Sequence, residues 1–178
     1  MTTKIIFSGF GGQGVLTLGL LVADIALNQG KEVTWMPSYG AEMRGGTANC
    51  AVIISDSVIG SPMVQRNVDI LVAMNAPSVT KFSDKMREGG GIAFINSSLV
   101  ADAQFASGVD VVNIDATNLA VKAGNARTAN MIMLTGFLAK TNLFTLEDIK
   151  AALSRRFEGK EHLVDVNMKA LEQAMAGA

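Results

Sequence analysis

Cysteine is nearly missing from this chain. Cys50 is the only one in 178 residues, so the chain can make no internal disulfide, no thiolate zinc site and no iron–sulfur cluster by itself. Histidine is as scarce, with His162 alone, and its place near the start of an expected surface helix reads as solvent-facing rather than catalytic. Charge is thin: 17% of residues are charged and the formal net charge is −1. With Lys and Arg scattered, nothing provides the basic footprint that nucleic acid or an anionic membrane requires. The one dense basic spot, Arg155–Arg156, suits the C-terminal end of a helix, where cations complement the dipole. No apolar run is long enough to span a bilayer. The N-terminus enters strand-like sequence directly, without a secretory pattern, and a cytoplasmic location is expected.

What is present is apolar. Hydrophobic residues make up 49% of the chain, enough for one ordinary core, and 1–178 is expected to form a single domain. A low charge fraction together with 10 methionines hints at surface meant for a partner, although Met also simply fills gaps in cores. The opening unit, Lys4 to Gln29, organises the rest: an apolar run at Ile5, Ile6 and Phe7, a glycine cluster, then a stretch of helical character. That is a buried strand, a tight turn and a helix whose first N–H groups point into the turn. Further strands are expected at Glu32–Met36, Thr47–Ile54, Asp69–Met74, Ile92–Asn96 and Asp110–Ile114. Ser55–Gly60 has the chemistry of a hairpin tip, returning through Ile59 to Val64. Helices are expected at Ala76–Arg87, Ala116–Ala123, Ala129–Ala139, after a Thr145/Asp148 capping box as far as Arg156, and at Glu161–Met175. The alternation predicts an α/β three-layer sandwich, its mostly parallel, mixed sheet carrying one hairpin and covered by helices on both faces.

Gly9, Gly11 and Gly14 satisfy G-x-G-x-x-G, with Gly12 and Gln13 inside the turn. A dinucleotide site also wants an acid at the end of the second strand, where this chain has Trp35-Met36-Pro37-Ser38. A P-loop wants G-K-[ST], where this chain has Gln13-Gly14-Val15. Bare N–H groups at a helix N-terminus can still receive a phosphate, and the Gln13 amide both donates and accepts. Glycines required only for close strand–helix packing are the alternative. A second glycine-bearing segment follows, with Tyr39, Glu42, Arg44, Gly45 and Gly46. Arg44 can clamp a phosphate or carboxylate with two parallel hydrogen bonds, and Glu42 can orient it. A local Glu42–Arg44 pair closing a crossover loop explains the same residues. Both segments are expected at the carboxyl ends of adjacent strands, where open α/β sheets bind ligands.

The segments FSGFGGQGV (7–15) and PSYGAEMRGGTANCAVIISDSVIGSPMV (37–64) together resemble the gamma subunit of the 2-oxoacid:ferredoxin oxidoreductases. Its G-x-G-G-Q-G, Y-G-x-E-x-R-G-G and I-S-D…I-x-S-P pattern is matched throughout, and 68–73, 130–136, Phe157 and 167–171 add to the likeness. The resemblance implies one subunit of an assembly that decarboxylates a 2-oxoacid oxidatively, forms an acyl-CoA and reduces ferredoxin. It implies alpha and beta subunits holding thiamine diphosphate and magnesium, and iron–sulfur clusters on beta or on a delta partner. Coenzyme A is implied as co-substrate, with Gly9, Gly11, Gly12, Gln13, Gly14, Tyr39, Glu42, Arg44, Gly45 and Gly46 on its side or at a subunit interface. Among 2-oxoglutarate, branched-chain 2-oxoacids, pyruvate and indolepyruvate, the compact length resembles the separate gamma of the 2-oxoglutarate or branched-chain enzymes, with 2-oxoglutarate favoured.

No residues stand out as catalytic or as metal ligands. Cys50 falls in a strand and reads as a small buried hydrophobe. Asp110 and Asp115 flank a strand as turn or cap residues, and the isolated chain is expected to be inactive. A stand-alone dinucleotide-binding oxidoreductase and a purely structural assembly subunit are the competing readings.

Overall fold

A computed structural model describes residues 1–39 and 47–176. The opening apolar run forms β1 (Thr2–Phe10), in which Ile5, Ile6 and Phe7 are at most 3% exposed. A strand closed to water on both sides must be flanked by strands and covered by helices. Both conditions hold here. The sheet has six strands in the order β2-β3-β1-β4-β5-β6, with β2 at Glu32–Tyr39, β3 at Thr47–Ser55, β4 at Ile70–Ala73, β5 at Ile92–Asn96 and β6 at Asp110–Ile114. β1, β4, β5 and β6 run parallel, whereas β3 is antiparallel to β1 on one side and to β2 on the other. The sheet is mixed, as expected.

The source of the antiparallel pairing differs from the expectation. Residues 56–67 form no strand, so Ser55–Gly60 is not a hairpin tip. The reason is geometric. One edge of β3 pairs with β1 from Ser55 to Thr47 and the other pairs with β2 over nearly the same length. No edge is left for a returning strand, and the hairpin is β2 with β3.

Strand alternation sorts the core into two layers. Ile5, Phe7, Cys50, Val52, Val72 and Phe94 face α1 (Val15–Asn28), α3 (Ala116–Lys122), α4 (Ala129–Ile132), α5 (Leu134–Lys140), α6 (Leu146–Arg156) and α7 (Glu161–Ala176). Phe137 of α5 sits at the middle of this layer, its ring centroid 4.8 Å from Phe94, 5.4 Å from Phe144 and 6.1 Å from Phe7. The opposite face is thinner. There Ile6, Leu71, Ala73, Ala93 and Ile95 meet Val79 and Phe82 of α2 (Ala76–Phe82), with Met86 and Val100.

Two helices are shorter or more broken than the sequence predicts. The one expected over 76–87 stops at Phe82 and passes through a 3-10 turn, Ser83–Lys85, because Met86 must extend to bridge Val68. The one expected over 129–139 is present as α4 and α5 with a turn at Met133. The Thr145/Asp148 capping box is formed, each side chain bonding the other residue's backbone N–H. The bond from the Thr145 N–H is the main cause that holds the Asp148 carboxyl below its ordinary pKa, helped by the Thr145 hydroxyl and the Gln29 amide.

Candidate functional site

β1 and β4 lie side by side and parallel, but the chain leaves β1 toward α1 on one face and β4 toward α2 on the other. This is the reversal of winding direction that opens a crevice at the carboxyl edge of α/β sheets. Here a side chain fills it. Gln13 folds back so that Oε1 accepts the Phe10 N–H at 2.7 Å and Asn75 Nδ2 at 3.3 Å, while Nε2 donates to the Met74 carbonyl at 3.3 Å. The fit depends on Gly9, where an added Cβ would stand 2.7 Å from Gln13 Oε1 and 2.9 Å from Met74 Cβ. A dinucleotide meets two further obstacles. The crevice wall that would carry ribose contacts is closed by this amide, and β2, whose end would supply the acid, is separated from β1 by β3.

The open side of the glycine turn faces the other way. A groove of about 310 Å³ is lined by Phe10, Gly11, Gly12, Val15, Thr17 and Ala48, among others. α1 enters it uncapped: Gly14 is the N-cap, in the left-handed region at φ 73°, with no side-chain cap and no acidic residue in the first turn. Leu18 is the first helical N–H with an acceptor, the Gly14 carbonyl at 2.9 Å. Among the described residues, none accepts from the N–H groups of Gly11, Gly12, Gly14, Val15, Leu16 or Thr17. A helix N-terminus so arranged carries about half a positive charge with nothing negative from its own first turn to offset it. Gly14 is fixed by Asn130, 6% exposed, whose Nδ2 donates to the Gly14 carbonyl at 3.2 Å.

The second segment reaches the same end of the sheet. Phe10 pairs with Thr47 and Tyr39 with Ala48, so the chain leaves β2 and re-enters β3 beside the glycine turn. The strands are not neighbours, as the sequence had implied; β3 stands between them and brings both ends to one rim by running antiparallel to each. The connection is a hairpin rather than a crossover. Glu42, Arg44, Gly45 and Gly46 lie outside the described residues, and Tyr39 is described as the last residue of β2.

Behind the rim lies a belt of neutral polar groups. Ser8 donates to Ser78 at 2.8 Å, Ser78 donates to Asn75 Oδ1 at 2.6 Å through its hydroxyl and at 2.9 Å through its N–H. Asn96, fully buried, donates to Thr117 Oγ1 at 2.9 Å and to the Met74 carbonyl at 3.4 Å. Sequence reasoning assigned no site role to Asn75, Asn96 or Asn130. Asn75 had a signal, since Asn followed by Ala-Pro is a helix start; Asn130 opens the 130–136 stretch of the family likeness, but its bond to Gly14, 116 residues away, had no local sign.

The residues set aside earlier have ordinary settings. Burial pushes the Cys50 thiol up to about 12, opposed in small part by the Trp35 indole, and its Sγ lies 3.7 Å from the Val15 carbonyl. Asp110 pairs with Lys140 at 3.0 Å, and Asp115 accepts from Ser98 Oγ at 2.6 Å. His162 is exposed, and among the described residues no three His, Cys, Asp or Glu gather as metal ligands would.

A mixed α/β sheet whose winding reversal lies beside a glycine turn that opens a helix is the class of fold these elements define. The chain belongs to the pyruvate ferredoxin/flavodoxin oxidoreductase family, whose pattern it matches over residues 4–177. It is 40% identical over 172 residues to ketoisovalerate oxidoreductase subunit VorA of Methanothermobacter thermautotrophicus, covering 95% of this chain. It spans only 35% of the length of that relative. It is 33% identical over 156 residues to 2-oxoglutarate synthase subunit KorC of Methanocaldococcus jannaschii, covering 86% of this chain and 82% of the relative. Among solved structures, the keto/oxoacid ferredoxin oxidoreductase gamma subunit from Geobacter sulfurreducens superposes with a TM-score of 0.80 at 29% identity, covering 98% of this chain and 96% of that one. The fold recurs in 30% of a longer chain, 2-oxoglutarate:ferredoxin oxidoreductase from Magnetococcus marinus with 2-oxoglutarate, coenzyme A and succinyl-CoA bound. That superposition has a TM-score of 0.86 at 23% identity over 98% of this chain. The resemblance to gamma subunits read from the two glycine motifs therefore holds. No helix among the described residues is long and apolar enough to cross a membrane.

Proposed function

We propose that this chain is the gamma-type subunit of a cytoplasmic 2-oxoacid:ferredoxin oxidoreductase and forms the coenzyme A side of its shared active centre. The observation that carries this reading is the α1 N-terminus, whose first N–H groups meet no acceptor among the described residues and which opens on a groove beside the start of β3. Coenzyme A brings phosphates, the groups such an N-terminus stabilises. Arg44, in the segment that joins the same rim, supplies a guanidinium for them. The rest of the machinery falls to alpha and beta subunits, with delta where present: thiamine diphosphate and magnesium, iron–sulfur clusters and the contact with ferredoxin. Thiamine diphosphate supplies the carbanion chemistry there, and no step of that chemistry is assigned to residues of this chain.

On substrate, the higher identity to the ketoisovalerate relative, 40% against 33% for the 2-oxoglutarate one, favours a branched-chain 2-oxoacid over the 2-oxoglutarate preferred from the sequence. The test is Arg44→Ala in the assembled complex, assayed across 2-oxoacids. A coenzyme A KM raised about tenfold or more, as loss of a charged hydrogen-bonding group implies, with 2-oxoacid KM unmoved, supports the reading. An unchanged coenzyme A KM leaves Arg44 as an interface residue and favours a purely structural subunit. Stoichiometric binding of NAD(H) or FAD by the purified chain favours the dinucleotide alternative, which the Gln13-filled crevice argues against.

A further inference from the structure

We propose that Asn75 and Asn130 are positioning residues that clamp the glycine turn from its two ends, Asn75 acting through Gln13. This rests on the coenzyme A reading above. At the entrance, Gln13 Oε1 takes both the Phe10 N–H and Asn75 Nδ2, and Gln13 Nε2 takes the Met74 carbonyl. Rotating that amide by half a turn would set an N–H against two N–H groups and an oxygen against a carbonyl. All three contacts therefore select one orientation. At the exit, Asn130 Nδ2 holds the Gly14 carbonyl, and Asn130 Oδ1 takes the Met131 N–H at 2.9 Å. Between the two anchors run Gly11 and Gly12, which line the groove, and Val15, Leu16 and Thr17 line it just beyond the exit.

Asn75 is 2% exposed and divides its two ends between two tasks. Its Oδ1 caps α2 through the Ser78 N–H and hydroxyl, and its Nδ2 reaches Gln13. The cap is itself tied to β1 by the Ser8–Ser78 bond at 2.8 Å. Neutral amides are the groups this task demands. A carboxylate at any of the three positions would offset the field at the α1 N-terminus and repel the anion; a Lys or Arg would need a counter-charge once buried.

Because the two ends of Asn75 act separately, Asn75→Ser tests the link. Serine still caps a helix but offers no N–H to Gln13. In the assembled complex, the clamp predicts amide exchange at Phe10 at least about tenfold faster, with α2 amides protected as before, a change comparable to losing one buried hydrogen bond. It also predicts a coenzyme A KM raised by a similar factor, while kcat at saturating coenzyme A and the 2-oxoacid KM stay within about twofold. Gln13→Met removes the Asn75 contact together with those to Phe10 and Met74 without touching the cap, and is the variant to read if Asn75→Ser fails to assemble. If Arg44→Ala raises the coenzyme A KM but neither variant does, the clamp is wrong and the coenzyme A reading survives. If none of the three moves it, both fall.

Discussion

The two ends of the sheet are held by opposite kinds of chemistry. At the carboxyl end the fastening groups are mostly neutral and buried, with Ser8, Ser78, Asn75, Asn96 and Asn130 at most 6% exposed; the exception is the Asp115 carboxylate just beyond β6, which holds Ser98. At the amino end they are charged and wet. Asp56 pairs with the Met1 ammonium and with Lys31, both at 2.6 Å, Asp69 with Arg87 at 3.0 Å, and Asp110 with Lys140 at 3.0 Å. The difference follows from what each end must do. Exposed ion pairs contribute little and are screened by salt. On the proposed reading, a rim that receives an anion would have to keep its shape in any salt and add no competing charge, and buried amides do both. The remaining ion pair among the described residues, Asp24–Arg155 at 2.8 Å, ties α1 to α6 away from either end.

The contrast is most exposed to failure at Asn96. Asn96→Ala would strand the Thr117 hydroxyl and leave a hole at a fully buried site, while the Thr117 N–H keeps Ser98 Oγ at 3.1 Å. The expected loss is about 2–4 kcal/mol, combining unsatisfied groups with a small cavity. Chemical denaturation at low and high salt checks it, and a loss that shrinks in salt would contradict the assignment of neutral fastening. Gly14→Ala comes next. The left-handed backbone costs a Cβ-bearing residue about 1–2 kcal/mol, and the new Cβ would stand 2.5 Å from Asn130 Nδ2. Asn130 must then release the Gly14 carbonyl. A drop of about 2–3 kcal/mol in unfolding free energy is expected, together with faster exchange at the N-terminus of α1. Wild-type stability would mean that the turn relaxes without its exit anchor.

Much of this was legible because the relevant physics is local. A continuous apolar run at Ile5–Phe7 states that β1 is covered on both faces, and the Gly9–Gly14 cluster after it states that a helix starts in the left-handed region. The Thr145/Asp148 box needs four residues to be read. Strand order, by contrast, is a long-range fact. Ser55-Asp56-Ser57 has turn chemistry, yet whether it makes a hairpin depends on which edges of β3 are free, and both were taken: Ser55 pairs with Glu32 on one edge and with Thr2 on the other. Gln13 shows the same limit. An amide in a glycine turn reads as a ligand group, and only the presence of Met74 and Asn75 across the crevice turns it inward. The part of the site that charge would have marked, Glu42 and Arg44, lies outside the described residues.

The smallest effect belongs to the other end. The Asp56 carboxyl is held at about 2, below its ordinary 3.8, chiefly by the hydrogen bond from Lys31 and then by the Met1 ammonium. A depressed carboxyl pKa stabilises the fold at pH values above the unfolded value, near 4, and that contribution disappears as pH falls through about 2. Asp56→Asn should therefore lower Tm slightly at pH 7 in low salt, and the gap from wild type should close between pH 4 and pH 2. Raising NaCl to about 1 M, where the Debye length is about 3 Å, should close it at pH 7 as well, because the side chains of Met1 and Asp56 are 86% and 48% exposed. The coenzyme A KM of the complex should not move. A gap that persists in high salt would mean that the amino end, too, is held by something other than exposed charge, and the division between the two ends of the sheet would fail there first.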